Sequence, residues 1–201
     1  MARVLILCSS TDGHTREICE RLRAASRDVG HDVSLAMIED APPPAPREFA
    51  LAVIGARIRY GRTDRRVIDY ANRHAGALNA MPSAYFSVNI VARKPGKDSP
   101  ETNPYVRQFL RNAVWRPRLT EVFAGKLDYP RYGVCDRLII RFIMLLTGGP
   151  TAPGTVVEFT DWQRVDAFSA RLNRALAPGP DHGLRVANGR AWNTPGGCVP
   201  N

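Results

Sequence analysis

The sequence predicts an α/β protein, a doubly wound parallel five-stranded sheet with helices on both faces. Three observations predict it. Short, largely apolar runs at 4–8, 51–56 and 83–88 end in turn residues, as strands buried on both faces do. The stretches between them carry apolar residues at helical spacing, and alternating strands and helices imply parallel crossovers. At 201 residues the chain suits one domain with a sizeable core.

The elements follow in order. The run 4–8 is the first strand, and Arg16 opens a helix whose Ile18, Leu22 and Ala25 share a face. Residues 32–38 form a second strand, followed by a connector with Pro42, Pro43, Pro44 and Pro46. Residues 51–56 are the third strand. A helix over 63–78 is predicted from Val67, Ile68, Tyr70, Ala71 and Ala75, and Pro82 opens a fourth strand at 83–88. The fifth strand is placed at 121–127 and another short one at 156–159. Asp161 caps a last helix with Val165, Phe168, Leu172 and Leu176 on one face. Two segments exceed a minimal version of this architecture, 93–119 and 128–154, the second interrupting the last strand. They are read as insertions in a domain spanning 1–176. The tail 177–201, rich in Gly, Pro and Asn, is expected to be disordered.

Composition narrows the function. No apolar run reaches 18 residues, so no spanning helix is expected. The N-terminus reads as a strand rather than a signal peptide. Cys8, Cys19, Cys135 and Cys198 are scattered without metal-ligand or redox spacing, so no metal site is expected and a reducing cytoplasm fits. Cys8 and Cys19 read as buried small hydrophobes. The net charge is +9, and between Arg93 and Arg141 eleven Lys/Arg face five Asp/Glu. That basic region suits carboxylated ligands or an anionic lipid surface. A nucleic-acid role lacks any helix-turn-helix, zinc or RNA-recognition motif.

The chemistry concentrates after the first strand, in Ser9-Ser-Thr-Asp-Gly-His-Thr15. Unpaired N–H groups at a helix start, helped by the helix dipole, favour an anion there. The hydroxyls add donors, and Gly13 lets the backbone approach. A Walker A ending and a Gly-x-Gly-x-x-Gly are both missing, which argues against a triphosphatase and a dinucleotide site. In such sheets ligands sit beyond the carboxyl ends of the strands. The loop after the first strand, 55–61 and 87–93 should therefore border one crevice.

Longer stretches then become specific. Val53-Ile-Gly-Ala-Arg-Ile-Arg-Tyr-Gly61, Met81-Pro-Ser-Ala-Tyr-Phe-Ser-Val-Asn-Ile-Val-Ala-Arg-Lys-Pro95 and Ala124-Gly-Lys-Leu-Asp-Tyr-Pro-Arg-Tyr132 are three of them. With Ser10-Thr-Asp-Gly-His-Thr15, Trp115-Arg-Pro117 and Thr160-Asp-Trp162, they resemble the bacterial flavodoxin-like protoporphyrinogen IX dehydrogenases, the menaquinone-dependent oxidase family. The resemblance runs over about residues 3 to 174. Thr11 departs from it, the family carrying a basic residue there.

The resemblance implies a flavodoxin-like fold and an enzyme of haem biosynthesis. It implies FMN as cofactor, protoporphyrinogen IX as substrate, six electrons removed in three two-electron steps, and menaquinone or ubiquinone as acceptor. The redox chemistry then belongs to the cofactor, and no His or carboxylate stands out as a base. Ser10, Thr11, Asp12, Gly13, His14 and Thr15 would hold the phosphate. The Asp12 side chain is expected to cap the helix, and His14 to face solvent. Ala56, Arg57 and Ile58 would border one side of the flavin ring, and Ser87, Val88 and Asn89 the other. Arg59, Tyr60, Arg93 and Lys94 would meet the substrate, Arg being suited to bidentate binding of its propionates.

Residues 135–146 form the second informative feature. From 138 to 146 only Arg141 is polar, and a helix of this length, about 18 Å, is too short to cross a bilayer. Arg137 and Arg141 share a face. Such a helix is expected to lie peripherally on the inner face of the cell membrane, although packing on the sheet or in a homo-oligomer would also use it. Two other functions compete: a flavodoxin-type electron carrier, which predicts an acidic surface, and an NAD(P)H:quinone oxidoreductase, which needs a nicotinamide site.

Overall fold

A computed structural model describes residues 1–146 and 148–176; the tail 177–201 lies outside the described residues. In chain order the elements are β1 (Arg3–Ser9), α1 (His14–Asp28), β2 (Asp32–Met37), β3 (Leu51–Arg59), β4 (Arg62–Thr63), α2 (Arg65–Arg73), α3 (Ala75–Asn79) and β5 (Ser83–Val88). There follow α4 (Pro104–Asn112), β6 (Leu119–Phe123), β7 (Lys126–Asp128), α5 (Val134–Leu146), β8 (Val156–Glu158) and α6 (Trp162–Leu176).

The main sheet has the order β2-β1-β3-β5-β6, with every pair on that path parallel. Its register sets Cys8 beside Met37 on one side and Gly55 on the other. Strand alternation divides the core in two. Leu5 and Leu7 face the layer of Val67, Tyr70, Leu78, Phe109 and Trp115. Val4, Ile6 and Cys8 face Ile18, Leu22, Val165, Phe168 and Leu172. Tyr85 stacks on Phe109 at 3.9 Å between ring centres, and the Trp115 indole N–H donates to Ser83 Oγ at 3.0 Å, which satisfies a polar group that burial would otherwise leave costly. Gly55 leaves room for the Phe86 ring: a Cβ built there would lie 2.3 Å from Phe86 Cζ.

The structure corrects four boundaries. The segment 63–78 is not one helix. Residues 62–63 pair back onto the end of β3 as β4, and the helical part breaks at His74 into α2 and α3. The segment 93–119 contains α4, the crossover that a parallel β5–β6 pair requires, so it is a connection of the basic fold. The region 121–127 splits at Ala124-Gly125 into β6, which joins the sheet, and β7, which does not. β7 instead pairs antiparallel with β8, setting Leu127 opposite Val157. The excursion 129–155 leaves and returns through this small ladder and covers a satellite core of Leu127, Tyr129 and Met144. Asp161 caps α6 as expected, accepting from the Gln163 and Arg164 N–H groups.

Candidate functional site

The site begins where β1 ends. Sheet order reverses between β1 and β3, because α1 carries the chain to one edge and α2 to the other. The carboxyl ends of the strands therefore open a crevice there. Gly13 initiates α1 with φ 87°, a left-handed value that a residue without Cβ adopts freely, and no side chain caps the helix. The Gly13 N–H is taken by Ser10 Oγ at 3.1 Å. The first-turn N–H groups beyond it are left facing the crevice beside the Thr15 hydroxyl.

Two expectations fail in this loop. Asp12 is exposed and does not cap the helix. His14 is 8% exposed rather than solvent-facing. Its Nε2 lies 2.6 Å from Thr160 Oγ1 and its Nδ1 3.0 Å from Glu17 Oε2. Thr160 donates its own hydrogen to the Ala124 carbonyl at 2.8 Å, so it accepts from His14. His14 thus ties the start of α1 to the segment that re-enters after the excursion, an association 146 residues apart that local pattern does not reveal.

The second wall comes from the end of β3. Arg59 and Arg62 close a two-residue hairpin over Tyr60 and Gly61. Tyr60 has φ 50° and Gly61 φ 74°. Positive φ at both central positions is what a type I′ turn demands, and for a tyrosine it costs about 1–2 kcal/mol. The turn holds the Tyr60 ring at the crevice mouth, 55% exposed, with the Arg59 guanidinium 5.1 Å from its centre. Below it Asp64 caps α2, accepting from the Arg66 N–H at 3.1 Å. Asp64 also accepts from Ser9 Oγ at 2.6 Å and pairs with Arg66 at 2.7 Å and Arg57 at 3.4 Å. Burial would raise its carboxyl, but these hydrogen bonds and the Arg57 charge hold it well below the usual carboxylate range.

The third wall is the end of β5. Asn89 is 4% exposed. Its side chain donates to Ser87 Oγ at 3.2 Å and accepts from the Ala92 N–H at 3.0 Å, so it shapes the turn and leaves Val88, Ile90 and Val91 to line the crevice.

Of the residues expected at the site, the structure brings Ser10, Thr11, Asp12, His14, Thr15, Arg57, Ile58, Arg59, Tyr60, Val88 and Asn89 to this one crevice. Ala56 and Ser87 are fully buried, paired with each other one layer beneath it. Arg93 and Lys94 do not line it. Arg93 turns under the excursion, donating to the Ile90 carbonyl at 3.1 Å and lying 5.7 Å from the Phe159 ring centre; burial lowers its pKa.

The crevice has a fourth wall that strand pattern did not indicate. Gly125, Lys126, Asp128, Arg131 and Tyr132 supply its polar part, and Ile139, Ile140, Ile143 and Met144 of α5 its apolar part. The signal was present as a cationic, apolar excursion between two short strands, but nothing local said which way it folds. Among the described residues no cluster of His, Cys, Asp or Glu could hold a metal ion, and no helix is long and apolar enough to cross a membrane.

The Flavodoxin domain family profile matches residues 5–153. Protoporphyrinogen IX dehydrogenase (quinone) of Escherichia coli is 42% identical over 170 residues, 85% of this chain and 94% of that one. The protein of the same name from Leishmania major is 40% identical over 182 residues, 89% of this chain and 79% of that one. A solved flavodoxin from the Archaea overlays with a TM-score of 0.48 at 11% identity, covering 88% of this chain and 99% of that chain. This chain belongs to the flavodoxin-domain family, in the group that holds the protoporphyrinogen IX dehydrogenases.

Proposed function

We propose that this protein binds FMN and oxidises protoporphyrinogen IX to protoporphyrin IX, six electrons in three two-electron steps, with menaquinone or ubiquinone as acceptor. The observation that carries the reading is one continuous crevice. An uncapped helix start adjoins a slot between the ends of β3 and β5, and the slot runs on to an apolar wall from α5.

The donor set fits a flavin monophosphate. The free N–H groups of the first turn of α1, with the hydroxyls of Ser10, Thr11 and Thr15, present donors to a phosphate. Asp12 and His14 contribute through the backbone, and Gly13, its N–H given to Ser10 Oγ, shapes the loop. Arg57 and Ile58 would flank the ring on one side and Val88 and Asn89 on the other, with Ala56 and Ser87 supporting from below. A bound FMN would supply two-electron redox chemistry between the porphyrinogen and the quinone. The chain's own work is to place the ring, to keep water off it with Ile58, Val88 and Ile90, and to offer Tyr60 and the α5 face as surface for an apolar macrocycle.

The same reading takes α5 to the membrane, where a lipid-soluble quinone resides. The helix packs in an inverted way. Arg137 turns inward, donating to the carbonyls of Tyr129 at 3.1 Å and Tyr132 at 3.3 Å. Leu138, Phe142 and Leu145 turn outward, from 60% to 69% exposed, while Ile139 and Ile143 line the crevice. A helix that turns Arg137 inward and presents Leu138, Phe142 and Leu145 suits an acyl environment.

The test is an anaerobic assay of the FMN-loaded protein with protoporphyrinogen IX and a quinone, followed by porphyrin fluorescence. Porphyrin formation well above the enzyme-free rate is expected. A rate equal to that blank with FMN bound would reject the reading. Riboflavin should bind far more weakly than FMN, since it lacks the group the α1 loop would hold.

A further inference from the structure

Resting on that reading, we propose that Arg131 and Lys126 form the carboxylate-recognition pair that receives the substrate's two propionates. Arg57 and Arg59 also lie at the crevice, but both are engaged. Arg57 pairs with Asp64 at 3.4 Å, and Arg59 lies over the Tyr60 ring with an Nη2 to hydroxyl distance of 3.4 Å. Arg93 is turned beneath the excursion, and Lys94 lies off the crevice. Lys126 and Arg131 line the crevice, and neither side chain makes a hydrogen bond or ion pair among the described residues.

Their placement is fixed by the backbone. Lys126 sits on β7, held by pairing with β8. Arg131 ends the single turn Tyr129–Arg131, which the Arg137 guanidinium clamps through the Tyr129 carbonyl and the Tyr129 hydroxyl anchors to the Pro150 carbonyl at 2.8 Å. Glu158 stands opposite Lys126 across the ladder, but its carboxylate accepts from the Trp162 indole N–H at 2.6 Å. Asp128 shares the face of β7 with Lys126 and lines the same crevice. Its charge opposes a carboxylate bound beside it.

The apolar wall of Ile139 and Ile143 adjoins these two cations. Together they form an amphipathic receptor for a macrocycle that is apolar over most of its surface and carries its two carboxylates along one edge. Two cations match two propionates in charge, and the Arg131 fork adds bidentate geometry. This assigns to the excursion the choice of substrate, and leaves the loops of β1, β3 and β5 to the cofactor.

The experiment measures binding separately from turnover. FMN-loaded wild type, Arg131→Gln, Lys126→Gln and Asp128→Asn are titrated with protoporphyrin IX and with its dimethyl ester, read by porphyrin fluorescence. Loss of one charge-assisted contact predicts that Arg131→Gln binds the diacid about tenfold or more weakly. Lys126→Gln should weaken it less, and Asp128→Asn should strengthen it. The ester should bind wild type and all three variants alike. Unchanged flavin fluorescence reports an intact fold. If Arg131→Gln and Lys126→Gln both bind the diacid like wild type, or if wild type prefers the ester, the assignment is overturned. Arg131-dependent binding of the diacid without any porphyrinogen oxidation would overturn the proposed reaction and leave the carboxylate site standing.

Discussion

Replacing Leu138, Phe142 and Leu145 together by Asn tests the inverted helix. These side chains are 60%, 62% and 69% exposed, so they contribute little to the folded core and much to any apolar surface laid against them. Fully burying such a side chain is worth about 1.5–3 kcal/mol, and the exposed six-tenths leave about 1–2 kcal/mol each for a lipid interface to recover. Burial at an interface is partial, so about 3 kcal/mol for the triple variant is a reasonable sum, or roughly a hundredfold in partitioning. Asn is uncharged, so electrostatic attraction to the surface is unchanged. The assay is co-sedimentation of the FMN-loaded protein with anionic vesicles, with denaturant unfolding in parallel. Wild type should sediment and the variant should not, while the variant still unfolds cooperatively, its stability lowered by about 1–3 kcal/mol through the partly buried remainder of each side chain and the weaker helix propensity of Asn. A variant that sediments like wild type, or a wild type that stays in solution at low salt, would refute the reasoning.

Other consequences follow from the packing and the site. Tyr60→Asn should stabilise the fold by about 1 kcal/mol, because Asn tolerates the positive φ that the hairpin turn imposes, yet it should weaken porphyrin binding; denaturant midpoint and porphyrin titration check the two directions. Gly55→Ala should cost about 1–3 kcal/mol in unfolding free energy, since its Cβ would lie within 2.9 Å of three Phe86 ring atoms. Asp64 has its folded pKa below its unfolded one, so its contribution is present above about pH 4, the unfolded carboxyl value, and is lost as pH falls further. Asp64→Asn should therefore lose about 1 kcal/mol at neutral pH, discounted because Arg66 is 47% exposed, and should show a shallower acid limb in stability against pH. Gly13→Ala should weaken FMN binding and leave riboflavin binding unchanged, read by flavin fluorescence, because φ 87° strains any residue with a Cβ in the phosphate loop.

The legible parts were those whose evidence is local. β1 and β5 were visible as apolar runs ended by turn residues, and the loop from Ser10 to Thr15 as hydroxyls and a glycine before a helix. The split of 63–78 was missed because the tight turn at Tyr60-Gly61 uses a tyrosine where Asn or Gly is usual. The crossover role of α4 is not legible in its basic, aromatic composition, because the need for a helix between parallel neighbours is topological and not local. His14 was misplaced because its partner, Thr160, is distant in sequence. Arg93 and Lys94 were expected at the site because they follow the right strand, but a long side chain can turn either way from a loop, and Arg93 found a carbonyl and a ring beneath the excursion.

By itself, the sequence determined the strands β1, β3 and β5, the helices α1 and α6, and the hydroxyl-rich loop after β1, because hydrophobic period and turn chemistry act over a few neighbouring residues. Only the tertiary structure decided which face of α5 is presented, which cations look into the crevice, and that the excursion forms its fourth wall. Those outcomes depend on competition among distant partners for the same side chains: the Tyr129 and Tyr132 carbonyls draw Arg137 inward, and the Asp64 carboxylate engages Arg57 while Arg131 stays at the crevice without such a partner among the described residues.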